Sequence, residues 1–304
     1  MRENAITLLG IPVEYGARQR GCTMGPTAMR SAGLPEALEE LGYEVIDQGD
    51  VGPIALDHPV CPIPGVKNLD QATAWTRAII QTADKIAETE AFPLFLGGDH
   101  SMSLGTVVGV NNHANRADRP LFVLWLDAHT DFNTFDSSPS GNIHGMPVSF
   151  FCGAPGFEPI LGEALPNPIN PKNVYMMGIR SVDQSERNLV KRYGITVHDM
   201  RSIDELGVVA PLSRFLDKVA HANGMLHVSL DVDFLDPETA PGVGTRVPGG
   251  VTFREAHLIM EMLFESRLVT SMDLAELNPL LDIEGRTASF AIELISSMFG
   301  KRVV

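Results

Sequence analysis

Three short stretches of the chain gather side chains that can hold a cation. Asp127, His129 and Asp131 fall within five residues, directly after the apolar run Pro-Leu-Phe-Val-Leu-Trp-Leu at 120–126. That run is short, branched and aromatic and does not alternate, as expected of a strand buried on both faces. Side chains two apart in an extended segment share a face, so the three are expected on one side. Two carboxylates and an imidazole crowded there would repel and desolvate one another unless positive charge sat between them. Read alone, the stretch also fits a polar loop start with a capping Asp. A second stretch repeats the spacing, with Asp231 and Asp233 after the apolar run 225–230. The third is His100, in Gly97-Gly98-Asp99-His100-Ser101.

Together these are four carboxylates and two imidazoles: His100, Asp127, His129, Asp131, Asp231 and Asp233. A single catalytic zinc with an open position needs fewer. Six ligands suit two ions sharing bridging carboxylates. The oxygen-rich, thiolate-free set favours a harder ion such as Mn²⁺. Two close ions bind one bridging water and lower its pKa, giving hydroxide near neutral pH. The implied chemistry is hydrolysis at an electrophilic carbon or phosphorus.

The clusters meet only if the fold brings their strands together. Strand patterns occur at 5–10, 44–47, 92–96, 121–126, 174–178, 196–198, 225–230 and 268–274. Helical patterns lie between them, over 25–31, 35–41, 69–90, 101–110, 143–151, 185–193, 211–221, 253–264 and 287–299. Proline-rich or polar stretches at 52–65, 133–141 and 154–171 read as loops. Alternating strands and helices predict an α/β protein, a largely parallel sheet with helices on both faces. No linker or repeat divides the chain, so 1–304 reads as one domain. In such sheets ligands bind beyond the carboxyl ends of the strands, where all three clusters fall. His227, inside a strand, reads as a core histidine.

Composition narrows the partners. The net charge of −15 argues against nucleic acid. Cys22, Cys61 and Cys152 are scattered and odd in number, which suggests no disulfide framework and fits a reducing cytosol. The apolar run 5–9 is too short to span a membrane, and Gly10 and Pro12 interrupt a signal-peptide reading. A cytoplasmic protein without membrane partners is expected.

The stretches Gly97-Gly98-Asp99-His100-Ser101, Asp127-Ala128-His129-Thr130-Asp131 and Ser229-Leu230-Asp231-Val232-Asp233-Phe234-Leu235-Asp236-Pro237 resemble the three metal signatures of the ureohydrolases, the arginases, agmatinases and their relatives. Further matching segments are Gly25-Pro26-Thr27-Ala28-Met29-Arg30, Gly249-Gly250-Val251-Thr252-Phe253-Arg254-Glu255 and Glu276-Leu277-Asn278-Pro279. The resemblance implies a three-layer α/β/α fold on an eight-stranded, mostly parallel sheet, with two Mn²⁺ per subunit. It implies that His100, Asp127, Asp131 and Asp231 hold one ion, and Asp127, His129, Asp231 and Asp233 the other. Asp127 and Asp231 then bridge, and the bridging hydroxide attacks a guanidinium carbon. Asp131 would pass a proton to the departing amine, Glu276 would pair with the guanidinium, and His144 would exchange protons with solvent.

The loop after the second signature is similar to that of bacterial arginases. By that resemblance Asn133, Ser140 and Asn142 bind the α-carboxylate of L-arginine, Asp183 binds its α-ammonium with Glu186 nearby, and Thr245 lies near the substrate end. Products would be L-ornithine and urea. Two positions depart from the pattern: Ser181, where an Asp is usual, and Arg246, where a small residue or Pro is usual. The runner-up is agmatinase or another guanidino-acid ureohydrolase. A catalytically inactive metal-binding regulator is the remote alternative. The resemblance implies a homotrimer or homohexamer, and the short tail 301–304 is expected to lack a tethering extension.

Overall fold

The computed structural model describes residues 4–302, so the sequence readings of 1–3 and of tail residues 303 and 304 lie outside the described residues. Among these residues eight strands form one sheet: β1 (Ala5–Ile11), β2 (Glu44–Asp50), β3 (Phe92–Gly97), β4 (Leu121–Leu126), β5 (Val174–Ile179), β6 (Thr196–Asp199), β7 (Met225–Asp231) and β8 (Val269–Ala275). Their order is β2-β1-β3-β8-β7-β4-β5-β6. Every pairing is parallel. The chain first leaves a gap between β3 and β4 and fills it last, with β7 and β8. That late insertion makes neighbours of β3, β8, β7 and β4, the strands that deliver the three metal-type clusters and Glu276.

Among the described residues eleven α-helices join or follow the strands: α1 (Gly25–Ser31), α2 (Leu34–Glu40), α3 (Leu69–Ala87), α4 (Ser103–Arg116), α5 (Pro147–Phe151), α6 (Glu158–Leu161), α7 (Gln184–Tyr193), α8 (Met200–Leu206), α9 (Val209–His221), α10 (Phe253–Ser266) and α11 (Arg286–Met298). Strand side chains alternate between two apolar layers. In β4, Phe122, Leu124 and Leu126 join one layer. Leu121, Val123 and Trp125 join the other. Helices α1, α2 and α8–α11 cover the first face, and α3–α7 the second. With both faces covered, the central strands cannot show the polar-apolar alternation of a half-exposed sheet.

Several boundaries differ from the sequence expectation. The helix expected over 143–151 is a 3₁₀ turn, Ile143–Gly145, followed by α5. Pro147 opens α5 because a proline lacks the N–H an interior position needs. The helix expected from 101 starts with a 3₁₀ turn, His100–Met102, and then runs to Arg116. Edge strand β2 extends to Asp50 and pairs only with β1. Helix α8, which the sequence reading did not anticipate, starts at Asp199, whose carboxylate accepts the Ser202 N–H at 2.8 Å.

The end of β3 has no room for a side chain. A Cβ at Gly98 would lie 1.8 Å from the Val13 carbonyl oxygen, and Glu276 N–H donates to Gly98 O at 2.7 Å. Gly98→Ala should therefore displace His100 from both neighbouring strands. We expect a loss of about 3 kcal/mol in urea unfolding and a fall in bound metal. Normal stability and metal content in this variant would show that the close approach is not required.

Candidate metal centre and substrate cavity

The six metal-type side chains converge at the carboxyl ends of β3, β4 and β7. His100 Nδ1 lies 3.1 Å from Asp127 Oδ2, 3.3 Å from Asp131 Oδ2 and 3.0 Å from Asp231 Oδ2. His129 Nδ1 lies 3.4 Å from Asp127 Oδ1 and 3.1 Å from Asp233 Oδ2. Two donor groups result, His100/Asp127/Asp231 and Asp127/His129/Asp233, sharing Asp127. Asp131 stands beside the first.

Extended backbone is not what gathers them, in contrast to the period-two reading. β4 ends at Leu126, and Asp127 Oδ1 accepts the His129 N–H at 2.7 Å, folding the segment into a turn. Asp131 then adopts a left-handed conformation, φ 45°. Likewise Asp231 closes β7 and caps a 3₁₀ turn by accepting the Asp233 N–H at 2.7 Å. Asp233 Oδ1 accepts the Ala128 N–H at 3.1 Å, which ties the two turns together. Asp127, Asp231 and Asp233 thus each have one oxygen pinned by a backbone N–H and the other presented to the cluster. A short polar chain segment can do this in a turn as readily as in a strand.

The donor set fits a pair of cations. Buried His100 Nδ1 and Asp127 Oδ2 make no well-formed hydrogen bond despite their crowding. A small dication that binds oxygen at about 2.1 Å leaves neighbouring ligands about 3 Å apart, the spacing seen here. The electrostatics agree. Burial and neighbouring carboxylates push Asp131, Asp231 and Asp233 above the usual carboxylate range. Burial opposes charge on both imidazoles, but the surrounding carboxylates outweigh it and push them well up. The cluster draws positive charge to itself.

A buried relay sets the tautomer of His100. Its Nε2 lies 2.9 Å from Ser229 Oγ, whose hydroxyl proton goes to Asp273 Oδ1 at 2.6 Å. Ser229 therefore accepts from Nε2–H, which leaves the Nδ1 lone pair facing the cluster. Strand register makes this possible, since Ser229 is paired with Asp273 on β8 and with Trp125 on β4. The Trp125 indole stacks on the imidazole, with centroids 4.1 Å apart. Burial opposes the charge on Asp273, but His227 and the Ser229 hydroxyl outweigh it and hold its carboxyl down to about 2. Ser103 and Thr106 hydroxyls also donate to it, at 2.9 and 2.6 Å. His227 is the core residue expected, with Nδ1 2.9 Å from Ser271 Oγ. The sequence reading missed Asp273 and Ser229, although a polar residue inside an apolar strand was a visible signal.

A cavity of about 320 Å³ opens onto the cluster. His129, Asp131, Asp231, Asp233 and Glu276 line its inner part, with His144 on one wall. Asn133, Ser140, Asn142, Ser181, Asp183, Glu186 and Thr245 line the rest, so every substrate-binding residue expected from the sequence borders this one cavity. Asn133 Oδ1 accepts from Ser137 at 3.0 Å, and Asn142 Oδ1 accepts from Lys67 at 3.0 Å. Both amides therefore keep their N–H₂ groups free to donate. Glu186 is walled in, accepting the Phe132 N–H at 2.7 Å, whereas Asp183 sits exposed at the start of α7. Arg246 donates to Pro241 O at 2.5 Å and Leu281 O at 3.0 Å, so it braces two loops.

Glu276, at φ 65°, carries left-handed strain that a glutamate rarely adopts. Its Oε1 accepts the His100 N–H at 2.9 Å and lies 2.9 Å from His144 Nδ1. Among the described residues its Oε2 has only the Cys22 thiol, at 3.8 Å. Burial opposes the charge on Glu276, but His144 and the backbone N–H outweigh it and lower its pKa. The relay generates a test at a residue that touches no cluster carboxylate. Asp273→Asn should weaken metal binding by about 10- to 100-fold while the protein stays folded. Equilibrium dialysis reads this directly, and unchanged affinity would refute the relay.

The chain matches the Arginase family over residues 4–300. It is 56% identical over 296 residues to an arginase of Agrobacterium fabrum, covering 97% of this chain and 91% of that protein. It is 52% identical over 297 residues to an arginase of Brucella melitensis, covering 98% and 96%. The structure of the native arginase of Bacillus caldovelox at pH 5.6 superposes with a TM-score of 0.91 at 39% identity, over 99% of this chain and all of that one. A family match over nearly all of the described residues, relatives more than half identical, and a shared fold together decide it: the chain belongs to the arginase family.

Proposed function

We propose that the protein hydrolyses L-arginine to L-ornithine and urea with two Mn²⁺ ions, acting through 1–304 as a single catalytic domain. The observation that carries this reading is the layout of the cavity. Buried carboxylates line its inner end, and neutral amide and hydroxyl groups with one exposed carboxylate, Asp183, line its rim. A guanidinium fits the first environment, and an α-carboxylate and α-ammonium fit the second. His100, Asp127, Asp131 and Asp231 would hold one ion and Asp127, His129, Asp231 and Asp233 the other, with Asp127 and Asp231 shared. When bound, the pair supplies a hydroxide as nucleophile at neutral pH.

The chain's own groups do the rest. Glu276 Oε1 is held by a backbone N–H, so its Oε2 is left to orient the guanidinium. Asp131 takes the proton lost by the attacking water and delivers it to the departing amine. His144 touches Glu276 yet has a partly exposed ring, which suits exchange of protons with solvent. Asn133, Ser140 and Asn142 donate to the carboxylate, Asp183 accepts from the ammonium, and Glu186 holds the turn between them. Ser181 leaves Asp183 as the acid at that rim, and Thr245 borders the substrate's outer end. The resemblance extends the reading to a cytoplasmic homotrimer or homohexamer. Among the described residues no helix is long and apolar enough to cross a membrane.

Urea release from L-arginine, agmatine and 4-guanidinobutyrate after Mn²⁺ loading is the direct test. Arginine should lead by at least about tenfold in kcat/KM. A preference for agmatine would make the protein an agmatinase, and no turnover of any of the three would make it a binding protein.

Asp127→Ala and Asp231→Ala should each abolish both activity and metal retention. Chelation should lower the melting temperature of the wild type by roughly 5 °C, as expected when ligand at a hundred times its Kd is removed. Arginine turnover at a normal rate in either variant after metal removal would contradict the mechanism.

A further inference from the structure

A second cavity, of about 450 Å³, adjoins the first, and Asn142 borders both. Its lining includes Arg18, Arg20, Lys67 and a single acid, Glu14. Glu14 is engaged with its own loop, where Oε2 accepts the Gly21 N–H at 2.9 Å. Among the described residues no carboxylate forms an ion pair with Arg18, Arg20 or Lys67. A chain of net charge −15 thus gathers three uncompensated cations beside the mouth of its acidic cavity.

Lys67 is built into this rim. Its N–H donates to Gly141 O at 3.0 Å, and its Nζ donates to Asn142 Oδ1 at 3.0 Å. Gly141 has φ 69°, and a Cβ there would lie 1.6 Å from Gly65 O, so the two loops pack backbone to backbone. The neighbouring Asn68 donates to Tyr15 O at 2.9 Å, fixing the same segment to the loop that carries Arg18 and Arg20. An ammonium has no acceptor, so it can only engage the oxygen of the Asn142 amide. The amide N–H₂ is thereby left as the free end.

We propose that Lys67 is a specificity-determining residue of the site: it holds Asn142 as a donor and, with Arg18 and Arg20, gives the rim the positive charge that favours a guanidino substrate bearing a carboxylate over one without it. This rests on the reading of the first cavity as the arginine site. The cations are exposed, so their effect is modest and falls with added salt. It acts on substrate capture and leaves the chemical step alone.

The test uses Lys67→Met, which keeps the length of the side chain and removes its charge and donors, in the Mn²⁺-loaded enzyme. The KM for L-arginine should rise about fivefold with little change in kcat, and kcat/KM for agmatine should stay the same. Inhibition by ornithine should weaken to a similar extent, inhibition by putrescine should not, and the salt dependence of the arginine KM should shrink. Lys67→Arg should restore most of the loss. Parallel weakening of ornithine and putrescine, or an unchanged arginine-to-agmatine ratio, would overturn the proposal while leaving arginine hydrolysis intact. Absence of arginine turnover in the wild type would instead overturn the functional reading, and this proposal with it.

Discussion

Buried negative charge is the constraint from which the rest of the structure follows. Among the described residues eight carboxylates are buried, Asp99, Asp127, Asp131, Glu186, Asp231, Asp233, Asp273 and Glu276, and no lysine or arginine is. Burying an ion without a partner is prohibitive, so each must be compensated. Four are compensated from within. Asp99 accepts the N–H groups of Gly16 and Ala17 at 2.7 and 2.9 Å. Asp273 accepts three hydroxyls, Glu186 accepts backbone N–H groups, and Glu276 has a backbone N–H and His144. The remaining four are the metal-type aspartates, which crowd one another: burial opposes the charge on Asp127 but the imidazoles of His100 and His129 outweigh it and hold its pKa down, while burial and neighbouring carboxylates push Asp131, Asp231 and Asp233 up. The sorting separates carboxylates held mainly by hydrogen bonds from the fold from those that face one another in the candidate metal centre.

The sheet order is a geometric answer to that crowding. Donors from β3, β7 and β4 can meet only if those strands end side by side, and filling the gap with β8 brings Glu276 and Asp273 into the same group. The parallel arrangement puts all of these ends on one edge. It also places Asp273 opposite Ser229, two residues before Asp231 at the end of β7. Strands carry the relay, and turns carry most of the candidate metal-binding side chains. The turns take on strain to do so: Asp131 and Glu276 both hold positive φ, and both lie where side chains must be aimed inward. Such strain persists only where surrounding contacts over-determine it.

Much of this was legible in the sequence because metal-type residues at strand ends are local signals. The six donors, Glu276 and the rim residues were all marked by residue type, spacing or resemblance, and all meet in the structure. The reason given for Asp127, His129 and Asp131 sharing a side was not the operative one, because side chain to backbone bonding turns the segment before a pleat can form. Strand order was not legible, since the β3–β8 pairing joins segments far apart in the chain. Asp273 and Ser229 are each visible as a polar residue in an apolar strand, but their partnership lies in register, which single-strand patterns do not reveal. Arg246 stood out only as a departure from the family pattern, and its partners are the carbonyls of two loops.

The two adjoining cavities extend the charge argument to the surface. Acidic groups gather inside, around the proposed metal centre, and cations gather at the neighbouring rim. A molecule with a cationic head and a carboxylate at its far end experiences that arrangement as a direction. Reversed, it would bring its carboxylate towards Asp131 and Asp233 and its guanidinium towards Lys67, unfavourable at both ends. Neutral donors such as Asn133 and Asn142 cannot create this polarity alone, because an amide offers both a donor and an acceptor end. Ser137 and Lys67 remove that ambiguity by occupying the oxygens. Of the two, only Lys67 also adds charge, which is why the proposed discrimination at the rim is assigned to a residue that does not line the first cavity.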